Sequence, residues 1–281
     1  MNELKLKQSL QHFFMEDIGD GDLTSENIFP ENEKGEAIIK AKEAGIFCGK
    51  KVIETAFSIL DPNANVQVFK SDGETVQKGE NLAVIKGSIC SILQGERVVL
   101  NLLQRMSGIA TLTKKAVDIL NSPRTKICDT RKTTPGLRMF EKYAVRTGGG
   151  YNHRFGLYDG VMIKDNHIAF CGSISKAVEA VRKRMGHMVK IEVEVETEEQ
   201  LKEAISVHPD VIMFDNCLPD RIKQFVSMTP PQIVTEASGG ITLANLADYK
   251  DTNVDFISLG FLTHSAASLD ISLYIHGRDA K

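Results

Sequence analysis

The chain has 281 residues, of which 42% are hydrophobic and 25% are charged, and its formal net charge is −3. These values indicate a folded chain with one large or two modest domains, and they argue against intrinsic disorder. No apolar run is long enough to span a bilayer, and the first residues lack the apolar core of a signal peptide. Five scattered cysteines are typical of a protein in a reducing compartment. We therefore expect a cytoplasmic protein with no membrane partner.

The first part of the chain has the pattern of a small mixed α/β domain. Apolar residues recur at helical spacing in residues 4–14 and 51–60, whereas residues 37–47 and 66–85 alternate and are interrupted by glycines, as strands and hairpins are. The pattern of residues 66–85 also occurs in lipoyl-type carrier modules. A carrier needs its modified lysine at a hairpin tip between small or acidic neighbours, and this segment has none, so we interpret it as part of an α/β domain.

Two helical runs follow, at residues 91–103 and 111–120. Residues 106–108, Met-Ser-Gly, lie between them, and glycine favours a break in a helix. We therefore predict a joint at this tripeptide and a domain boundary there, between residues 107 and 108.

Beyond this joint, strand-like and helix-like segments alternate. Runs rich in β-forming residues occur at 126–130, 161–164, 189–195, 211–215, 233–237 and 255–260. Segments with a helical pattern separate them, at 136–146, 174–185, 198–207, 220–228 and 243–250. This alternation predicts an α/β fold with a parallel sheet covered by helices. Six strands fall short of the eight of a complete barrel, so we predict an open, incomplete parallel α/β barrel.

The carboxyl ends of these strands carry the residues that indicate a ligand, because α/β barrels bind ligands at that end. Residues 129–167 contain seven lysines and arginines against four acids, and a local excess of cations in an acidic protein indicates an anionic small ligand and not nucleic acid. In chain order the strand ends carry Arg131 and Lys132, Lys164 with Asp165, Glu194, Asp215 with Asn216, Glu236 with Ser238, Gly239 and Gly240, and Gly260 with Thr263 and His264. This order suits a ligand with carboxylates at one side, a metal-chelated diphosphate at another, and a monophosphate held by backbone N–H groups.

Each of these signals also has an ordinary structural explanation. Lys164 could be a solvated lysine at a strand end, and the Ser-Gly-Gly sequence at 238–240 could be only a turn. Alternation puts Glu192, Glu194 and Glu196 on one face, which would face solvent on an edge strand. Because helical segments flank this run on both sides, we expect that face to line the barrel interior, where uncompensated carboxylates are costly.

Six segments together resemble one enzyme family. They read DTRKTTPGLR, GGGYNHRFGLYDGVMIKDNH, VEVE, FDN, EASGGI and GFLTHS. In this order and spacing they resemble quinolinate phosphoribosyltransferase of the bacterial type, and EDIGDGDLTS and GERVVLNL extend the likeness over nearly the whole chain. The resemblance implies an N-terminal α/β sandwich domain of residues 1–107, joined by residues 266–281, and an open α/β-barrel catalytic domain of residues 108–265.

The resemblance also implies a reaction. The enzyme would transfer the phosphoribosyl group of 5-phosphoribosyl-1-pyrophosphate to quinolinate, giving nicotinate mononucleotide, carbon dioxide and pyrophosphate, with Mg²⁺ as cofactor. Quinolinate carboxylates would bind Arg131, His153, Arg154 and Lys164, together with Arg97 from the partner subunit of a homodimer.

Further roles follow from the same resemblance. Lys132 would join Lys164 near the phosphoribosyl substrate. Glu194 and Asp215 would hold Mg²⁺ on the pyrophosphate and the ribose hydroxyls, and with Lys164 they would form the catalytic set. The 5-phosphate would be held by Ser238, Gly239, Gly240, Gly260 and His264.

Three other functions remain open on the sequence alone. A phosphoribosyltransferase-like protein associated with molybdenum transport shares the fold, but the RKT, NHR and KDNH segments argue against it. An aldolase would use Lys164 as a Schiff-base nucleophile and would give Arg131 and Arg154 little purpose. A barrel without activity could bind phosphorylated metabolites as a sensor, and turnover of quinolinate distinguishes it from an enzyme.

Overall fold

The chain forms two compact units, one built on an antiparallel sheet and the other on a parallel sheet. The structure is a computed structural model, and it describes residues 1–30 and 32–276. The first unit consists of Met1–Leu112, Met139–Gly148 and the residues from Ala266 onward, and the second consists of Thr113–Arg138 and Gly149–Ser265. The boundary predicted from the sequence follows residue 107, whereas this division puts it after Leu112. Residues 277–281 of the expected C-terminal segment lie outside the described residues.

Helices and strands alternate regularly only in the second unit. The helices are α1 (Glu3–Ile18), α2 (Ser25–Ile28), α3 (Lys50–Leu60), α4 (Ile89–Leu120), α5 (Arg138–Thr147), α6 (Asp165–Cys171), α7 (Ile174–Arg182), α8 (Glu198–Ser206), α9 (Pro219–Met228) and α10 (Phe261–His264). The strands are β1 (Lys34–Ala41), β2 (Gly45–Ile46), β3 (Asn65–Val68), β4 (Thr75–Val76), β5 (Asn81–Ser88), β6 (Lys126–Cys128), β7 (Val161–Ile163), β8 (Ile191–Val195), β9 (Val211–Asp215), β10 (Val234–Ser238), β11 (Phe256–Ser258) and β12 (Ile271–His276).

The first unit packs amphipathic helices with a four-stranded sheet. Helix α1 buries Leu6, Leu10 and Phe14, which are four residues apart and therefore lie on one face of the helix. The sheet has the strand order β12-β1-β5-β3, with each neighbouring pair antiparallel. Along β1, buried residues alternate with less buried ones, as expected for a sheet with one covered face. The predicted N-terminal α/β domain is confirmed.

Helix α4 is continuous from Ile89 to Leu120, so the predicted joint at residues 106–108 is wrong. Gly108 lies within this continuous helix, and another part of the first unit approaches it too closely for any side chain. A Cβ at this position would lie 2.0 Å from the carbonyl oxygen of Ala267. Ser107 is fully buried, and its hydroxyl accepts a hydrogen bond from the backbone N–H of Cys48 at 3.0 Å. Close packing at a glycine therefore explains the tripeptide.

The second unit contains a six-stranded parallel sheet in the order β6-β11-β10-β9-β8-β7. Within the described residues its end strands β6 and β7 do not pair with each other, so the barrel is open. The predicted α/β fold with an incomplete parallel barrel is confirmed. Because all six strands run in the same direction, their carboxyl ends meet at one edge, and this edge carries the polar strand-end residues.

One predicted helix of the second unit is largely absent. Of residues 243–250, only Leu246–Tyr249 form a short 3₁₀ helix. The side chain of Asn245 forms a turn in place of the first helical residues: it accepts the backbone N–H of Thr242 at 2.7 Å and donates to the carbonyl of Gly240 at 3.0 Å. Such local side-chain hydrogen bonds compete with a helix.

Candidate active site

The carboxyl ends of the six parallel strands surround one cavity of about 800 Å³, and all of its lining belongs to the second unit. Twelve of the thirteen site residues predicted from the sequence line it, namely Arg131, Lys132, His153, Arg154, Lys164, Glu194, Asp215, Ser238, Gly239, Gly240, Gly260 and His264. The thirteenth, Arg97, lies on α4 in the first unit with an exposed side chain.

Only part of the basic stretch at 129–167 faces this cavity, through Arg131, Lys132, Arg154 and Lys164. Lys142 is fully buried on α5 in the first unit. Arg138 donates hydrogen bonds to Thr133 Oγ1 and to the carbonyl of Phe155, each at 2.9 Å, and so connects the loop after β6 to the loop that precedes β7. The cation excess counted in the sequence therefore overstates the positive charge at the site.

Asp129 fixes the loop that carries two of the predicted ligand-binding residues. It is fully buried. One carboxylate oxygen accepts the backbone N–H of His153 at 2.9 Å, and the other accepts the side-chain amide of Asn152 at 2.6 Å. Hydrogen bonds to a buried carboxylate are strong, so residues 152–154 are held firmly beside the end of β6. No pattern in the sequence indicates this role of Asp129.

Arg154 is half-buried and anchored at both its backbone and its side chain. Its backbone N–H donates to His153 Nδ1 at 2.7 Å, and its Nη1 donates to the carbonyl of Gly160 at 2.7 Å. Burial lowers the pKa of Arg154, the neighbouring charge of Arg131 lowers it further, and the carboxylate of Glu192 opposes both effects. Two guanidinium groups that repel each other beside a cavity would both be stabilised by a bound anion.

Neighbouring strand ends of the same cavity carry carboxylates. Lys164, which directly follows β7, forms an ion pair and a hydrogen bond with Glu194 on the neighbouring strand β8. Burial raises the pKa of Glu194, although the hydrogen bond and charge of Lys164 act in the other direction. Burial likewise raises the pKa of Asp215 at the end of β9, against the charges of Lys164 and Lys132. A cation bound between these carboxylates would reverse both shifts.

A second polar layer lies deeper in the barrel. Glu192 precedes Glu194 by two residues on β8, and Glu236 precedes Ser238 by two residues on β10, so both point to the same interior. His153 Nε2 lies 3.0 Å from Glu192 Oε2 and 3.6 Å from Glu236 Oε1. Burial, followed by the charge of Glu192, raises the pKa of Glu236 to about 7. The alternation of β8 predicts Glu192 inside the barrel, but neither glutamate is among the thirteen site residues predicted from the sequence.

The glycines after β10 shape a compact loop next to Asn216. Gly239 has a φ of +83° and Gly240 a φ of +65°, a region that favours glycine. A Cβ on Gly239 would lie 2.2 Å from Asn216 Oδ1. The backbone N–H of Asn216 donates to the carbonyl of Ser238 at 2.9 Å, which joins this loop to the end of β9.

Gly260, after β11, allows two cationic or polar side chains to approach. A Cβ at this position would lie 2.9 Å from Lys132 Cδ and 3.4 Å from the ring of His264. Thr263 Oγ1 donates to the carbonyl of Lys132 at 2.7 Å, which joins the loop after β11 to the loop after β6. The last strand of the parallel sheet in chain order, β11, is thereby connected to the first, β6.

Sequence reasoning missed several residues of the cavity wall. They are Thr130, Met162, Met213, Ile241, Thr242, Ser258 and Phe261. The alternation of strands gives a signal for two of them. Met162 precedes Lys164 by two residues and Met213 precedes Asp215 by two residues, so each lies one step below a predicted ligand on the same inward face.

The cavity thus combines three kinds of surface. Guanidinium groups pair with carboxylates through a planar fork. Carboxylate oxygens are the ligands that Mg²⁺ prefers. A glycine loop presents backbone N–H groups, which suit a phosphate. A ligand that carries carboxylates and phosphates together would use all three.

Two family models match the chain. The model described as "Quinolinate phosphoribosyl transferase, N-terminal domain" matches residues 22–107, and the model described as "Quinolinate phosphoribosyl transferase, C-terminal domain" matches residues 109–274. The two matches together include the strand-end residues of the cavity and Arg97.

Relatives over nearly the full length give the same result. The chain is 62% identical over 273 residues to "Probable nicotinate-nucleotide pyrophosphorylase (carboxylating)" of Bacillus subtilis, a match that covers 97% of this chain and 94% of that protein. It is 39% identical over 289 residues to "Quinolinate phosphoribosyltransferase (decarboxylating) 2, mitochondrial" of Nicotiana glauca, covering 96% and 82% of the two chains. The crystal structure of NadC from Streptococcus pyogenes matches with 39% identity and a TM-score of 0.94 over 99% of both chains.

Proposed function

This chain belongs to the quinolinate phosphoribosyltransferase family, as its six sequence motifs predicted, and we infer that it transfers the phosphoribosyl group of 5-phosphoribosyl-1-pyrophosphate to quinolinate. The reaction is decarboxylating, and its products are nicotinate mononucleotide, carbon dioxide and pyrophosphate. It supplies pyridine nucleotide for NAD biosynthesis.

The observation that carries the assignment of residues is the arrangement of the cavity wall. Cations, carboxylates and a glycine loop occupy different strand ends of one cavity. Quinolinate and the phosphoribosyl donor are both polyanions, but they differ in their anionic groups. Carboxylates suit the paired arginines, and a terminal phosphate suits backbone N–H groups.

Quinolinate would bind at the cationic side. The residues that line this part of the cavity are Arg131, His153, Arg154 and Lys164. Each arginine would take one carboxylate through its fork, and Lys164 would supply a point charge. A substrate with only one carboxylate would leave part of this cluster without a partner, which costs free energy.

The phosphoribosyl donor would bind across the later strand ends. Its 5-phosphate would contact the backbone of Ser238, Gly239 and Gly240, with Gly260 and His264 on the neighbouring loop. Lys132, which crosses Gly260, would contact the phosphoribosyl group.

Glu194 and Asp215 would act at the reacting carbon and at the metal. Both offer oxygen ligands, and burial raises the pKa of both, so the pair fits a divalent cation. Bound there, Mg²⁺ would neutralise charge on the pyrophosphate leaving group.

The protein's own part in the chemistry is positioning and electrostatics. Departure of pyrophosphate gives the ribose carbon oxocarbenium character, as in glycosyl transfer, and the carboxylates of Glu194 and Asp215 stabilise that positive charge. The ring nitrogen of quinolinate forms the new bond and becomes cationic. The carbon–carboxylate bond next to this nitrogen then breaks, carbon dioxide leaves, and the electron pair stays on the ring carbon until a proton replaces it.

We also propose that the enzyme is a homodimer in which Arg97 of one subunit completes the quinolinate site of the other. Arg97 has an exposed side chain, and its nearest acid is Glu96 at 4.0 Å, so its guanidinium is available for another charged partner. A dimer of this kind has two composite sites related by symmetry.

We propose that the enzyme acts in the cytoplasm, where reducing conditions keep scattered cysteines from forming disulfides. Among the described residues, no helix has both the length and the apolar character that crossing a membrane requires.

Loss of quinolinate and release of carbon dioxide test the proposed function directly. Purified enzyme should consume quinolinate when 5-phosphoribosyl-1-pyrophosphate is present and release one carbon dioxide for each quinolinate, and it should do neither when the donor is omitted. Quinolinate loss without carbon dioxide release, or no loss at all, would contradict the proposal.

A further inference from the structure

Asn216 follows Asp215 at the end of β9 and has a backbone conformation that most residues avoid. Its φ is +53°, in the left-handed region. Asparagine tolerates this region better than most residues with a side chain, but glycine adopts it at the lowest cost. The backbone alone therefore does not require an asparagine here, and the side chain of Asn216 makes contacts that a glycine could not make.

The turn that contains Asn216 is fixed by hydrogen bonds to two other parts of the barrel. The backbone N–H of Asn216 donates to the carbonyl of Ser238 at 2.9 Å, at the end of the neighbouring strand β10. The hydroxyl of Tyr249 donates to the carbonyl of Cys217 at 3.5 Å. Surroundings of this kind impose a left-handed φ on a residue. The side chain of Asn216 therefore starts from a fixed point in the wall of the cavity.

The two polar atoms of the Asn216 amide face two different parts of the cavity wall. Nδ2 donates a hydrogen bond to Asp215 Oδ2 at 2.7 Å. Oδ1 faces Gly239, where a Cβ would lie 2.2 Å from it. Asp215 is one of the two carboxylates proposed to hold the metal, and Gly239 belongs to the loop proposed to hold the 5-phosphate. One short side chain thus lies between a carboxylate and the glycine loop and contacts both.

These two parts of the wall would hold opposite ends of one substrate. 5-Phosphoribosyl-1-pyrophosphate carries a pyrophosphate on one carbon of the ribose and a phosphate on another, so the sugar limits the distance between the two groups. The site must match that distance, because a misplacement of about 1 Å can reduce a rate by roughly a hundredfold. The hydrogen bond from Asn216 to Asp215 Oδ2 also fixes the direction of this carboxylate, whose oxygens accept more than one partner.

We propose that Asn216 is a positioning residue for the phosphoribosyl donor, which orients the carboxylate of Asp215 and sets its spacing from the loop at Gly239. The proposal rests on the proposed function, because it takes this donor as the ligand of both groups. Asn216 is not among the residues proposed above to bind a substrate or the metal, so its role is an additional one. The ordinary alternative is that asparagine occurs here only because it tolerates a left-handed backbone.

Asn216→Gly separates these two explanations, because glycine keeps the left-handed backbone and removes both side-chain contacts. We expect the dissociation constant of the donor, measured by calorimetry with Mg²⁺ and without quinolinate, to rise about tenfold or more. The affinity for quinolinate and the thermal unfolding temperature should change little. Asn253→Gly is the matched control, because Asn253 also has a positive φ, +61°, but is exposed and lies before β11, outside the cavity wall. This variant should bind the donor as the wild type does.

A double variant tests the contact with Gly239 separately. In Gly239→Ala the new Cβ would lie 2.2 Å from Asn216 Oδ1 and 2.8 Å from both Cγ and the backbone nitrogen of Asn216. Asn216→Gly removes the two side-chain contacts and keeps the contact with the backbone nitrogen. Gly239→Ala should therefore weaken donor binding by a smaller factor in Asn216→Gly than in the wild type. Equal factors in the two backgrounds would show that the side chain of Asn216 does not set the position of the loop.

The binding measurements also separate this proposal from the proposed function. If the wild type binds the donor and converts quinolinate, and Asn216→Gly binds the donor equally well, only the role of Asn216 is refuted. An equal loss of affinity for the donor and for quinolinate, or a marked fall in the unfolding temperature, would likewise refute it, because it would show a general structural role. If the wild type binds neither substrate, the proposed function is refuted, and the role of Asn216 with it.

Discussion

Lys164 donates a hydrogen bond from Nζ to Glu194 Oε2, across the carboxyl ends of the paired strands β7 and β8. The side chain of Lys164 is 43% exposed and that of Glu194 only 10%, so the pair presents its cation to the cavity and keeps its carboxylate close to the barrel interior. An anionic ligand that approaches Lys164 competes with Glu194 for it, and a cation that approaches Glu194 competes with Lys164. If the proposed Mg²⁺ binds at Glu194, the pair would therefore couple the binding of the anion to that of the metal.

Lys164→Ala should reduce turnover by about a hundredfold or more without unfolding the protein, because a contact that acts on developing charge in a closed site is worth several kcal/mol. Lys190→Ala is the matched control. Lys190 precedes the same strand β8 and pairs with Asp210 at 2.6 Å, but its side chain is 77% exposed at the opposite end. Steady-state rates and thermal unfolding of both variants provide the test. Near-normal activity of Lys164→Ala would end its catalytic role, and failure to fold would make it a structural residue.

Quinolinate should be consumed only when both the phosphoribosyl donor and Mg²⁺ are present, and nicotinate should be a poor replacement. Nicotinate has one carboxylate, so it leaves part of the cationic cluster without a partner, and a site built for a polar group rejects analogues that lack it. Product formation from the two substrates, with and without a chelator, measures this. Equal kcat/KM for nicotinate and quinolinate would refute the assignment.

Gly239→Ala should weaken binding of the phosphoribosyl donor more than Gly240→Ala does. Both glycines have positive φ, so both variants carry backbone strain. Only at Gly239 does the new Cβ also meet an atom, since it would lie 2.2 Å from Asn216 Oδ1, whereas nothing lies within 4 Å at Gly240. The KM for the donor should therefore rise more in Gly239→Ala, by roughly tenfold or more if the loop shifts by an ångström. Equal effects would mean that contact with Asn216 does not shape the phosphate loop.

The stability of the protein should depend on the protonation of Glu236. Its pKa is raised from 4.5 to about 7 by burial and by the charges of Glu192 and Asp129, against His153 and Ser258. The folded carboxyl therefore holds its proton more tightly than the unfolded one. The resulting stabilisation is fully present below about pH 4.5 and is lost as the pH rises through about 7, with an upper limit on the order of 3 kcal/mol.

Glu236→Gln removes this titration, so its free energy of unfolding should vary less between pH 5 and 8 than that of the wild type. Urea unfolding at several pH values in this range measures the difference. Parallel curves for the two proteins would show that Glu236 titrates normally in the folded state.

Arg97→Ala and Lys164→Ala chains, each inactive alone, should recover activity when their subunits exchange. A mixed dimer has one site with both defects and one with neither, so statistical exchange gives roughly half of the dimers as mixed and about a quarter of the wild-type activity per site. Exchange is followed with differently tagged chains. Proven exchange without any recovery would show that Arg97 does not act in trans.

The sequence by itself determined the alternation of strands and helices, the open barrel and the chemistry of the strand ends. These features are local: period-two and period-3.6 patterns report which side of an element is covered, and the residue after a parallel strand must lie at its carboxyl edge. The position of Lys164, Glu194 and Asp215 after parallel strands is enough to predict that they lie at the same edge of the sheet.

Only the tertiary structure decided what lies between distant elements. Gly108 looked like a break in a helix, and only the carbonyl of Ala267 beside it shows why the helix needs a glycine there. Likewise, Glu192 and Glu236 come from different strands and meet at His153, which belongs to a loop outside both. A sequence pattern indicates which face of an element is buried, but the residues that meet on that face depend on how the strands pack together in the folded protein.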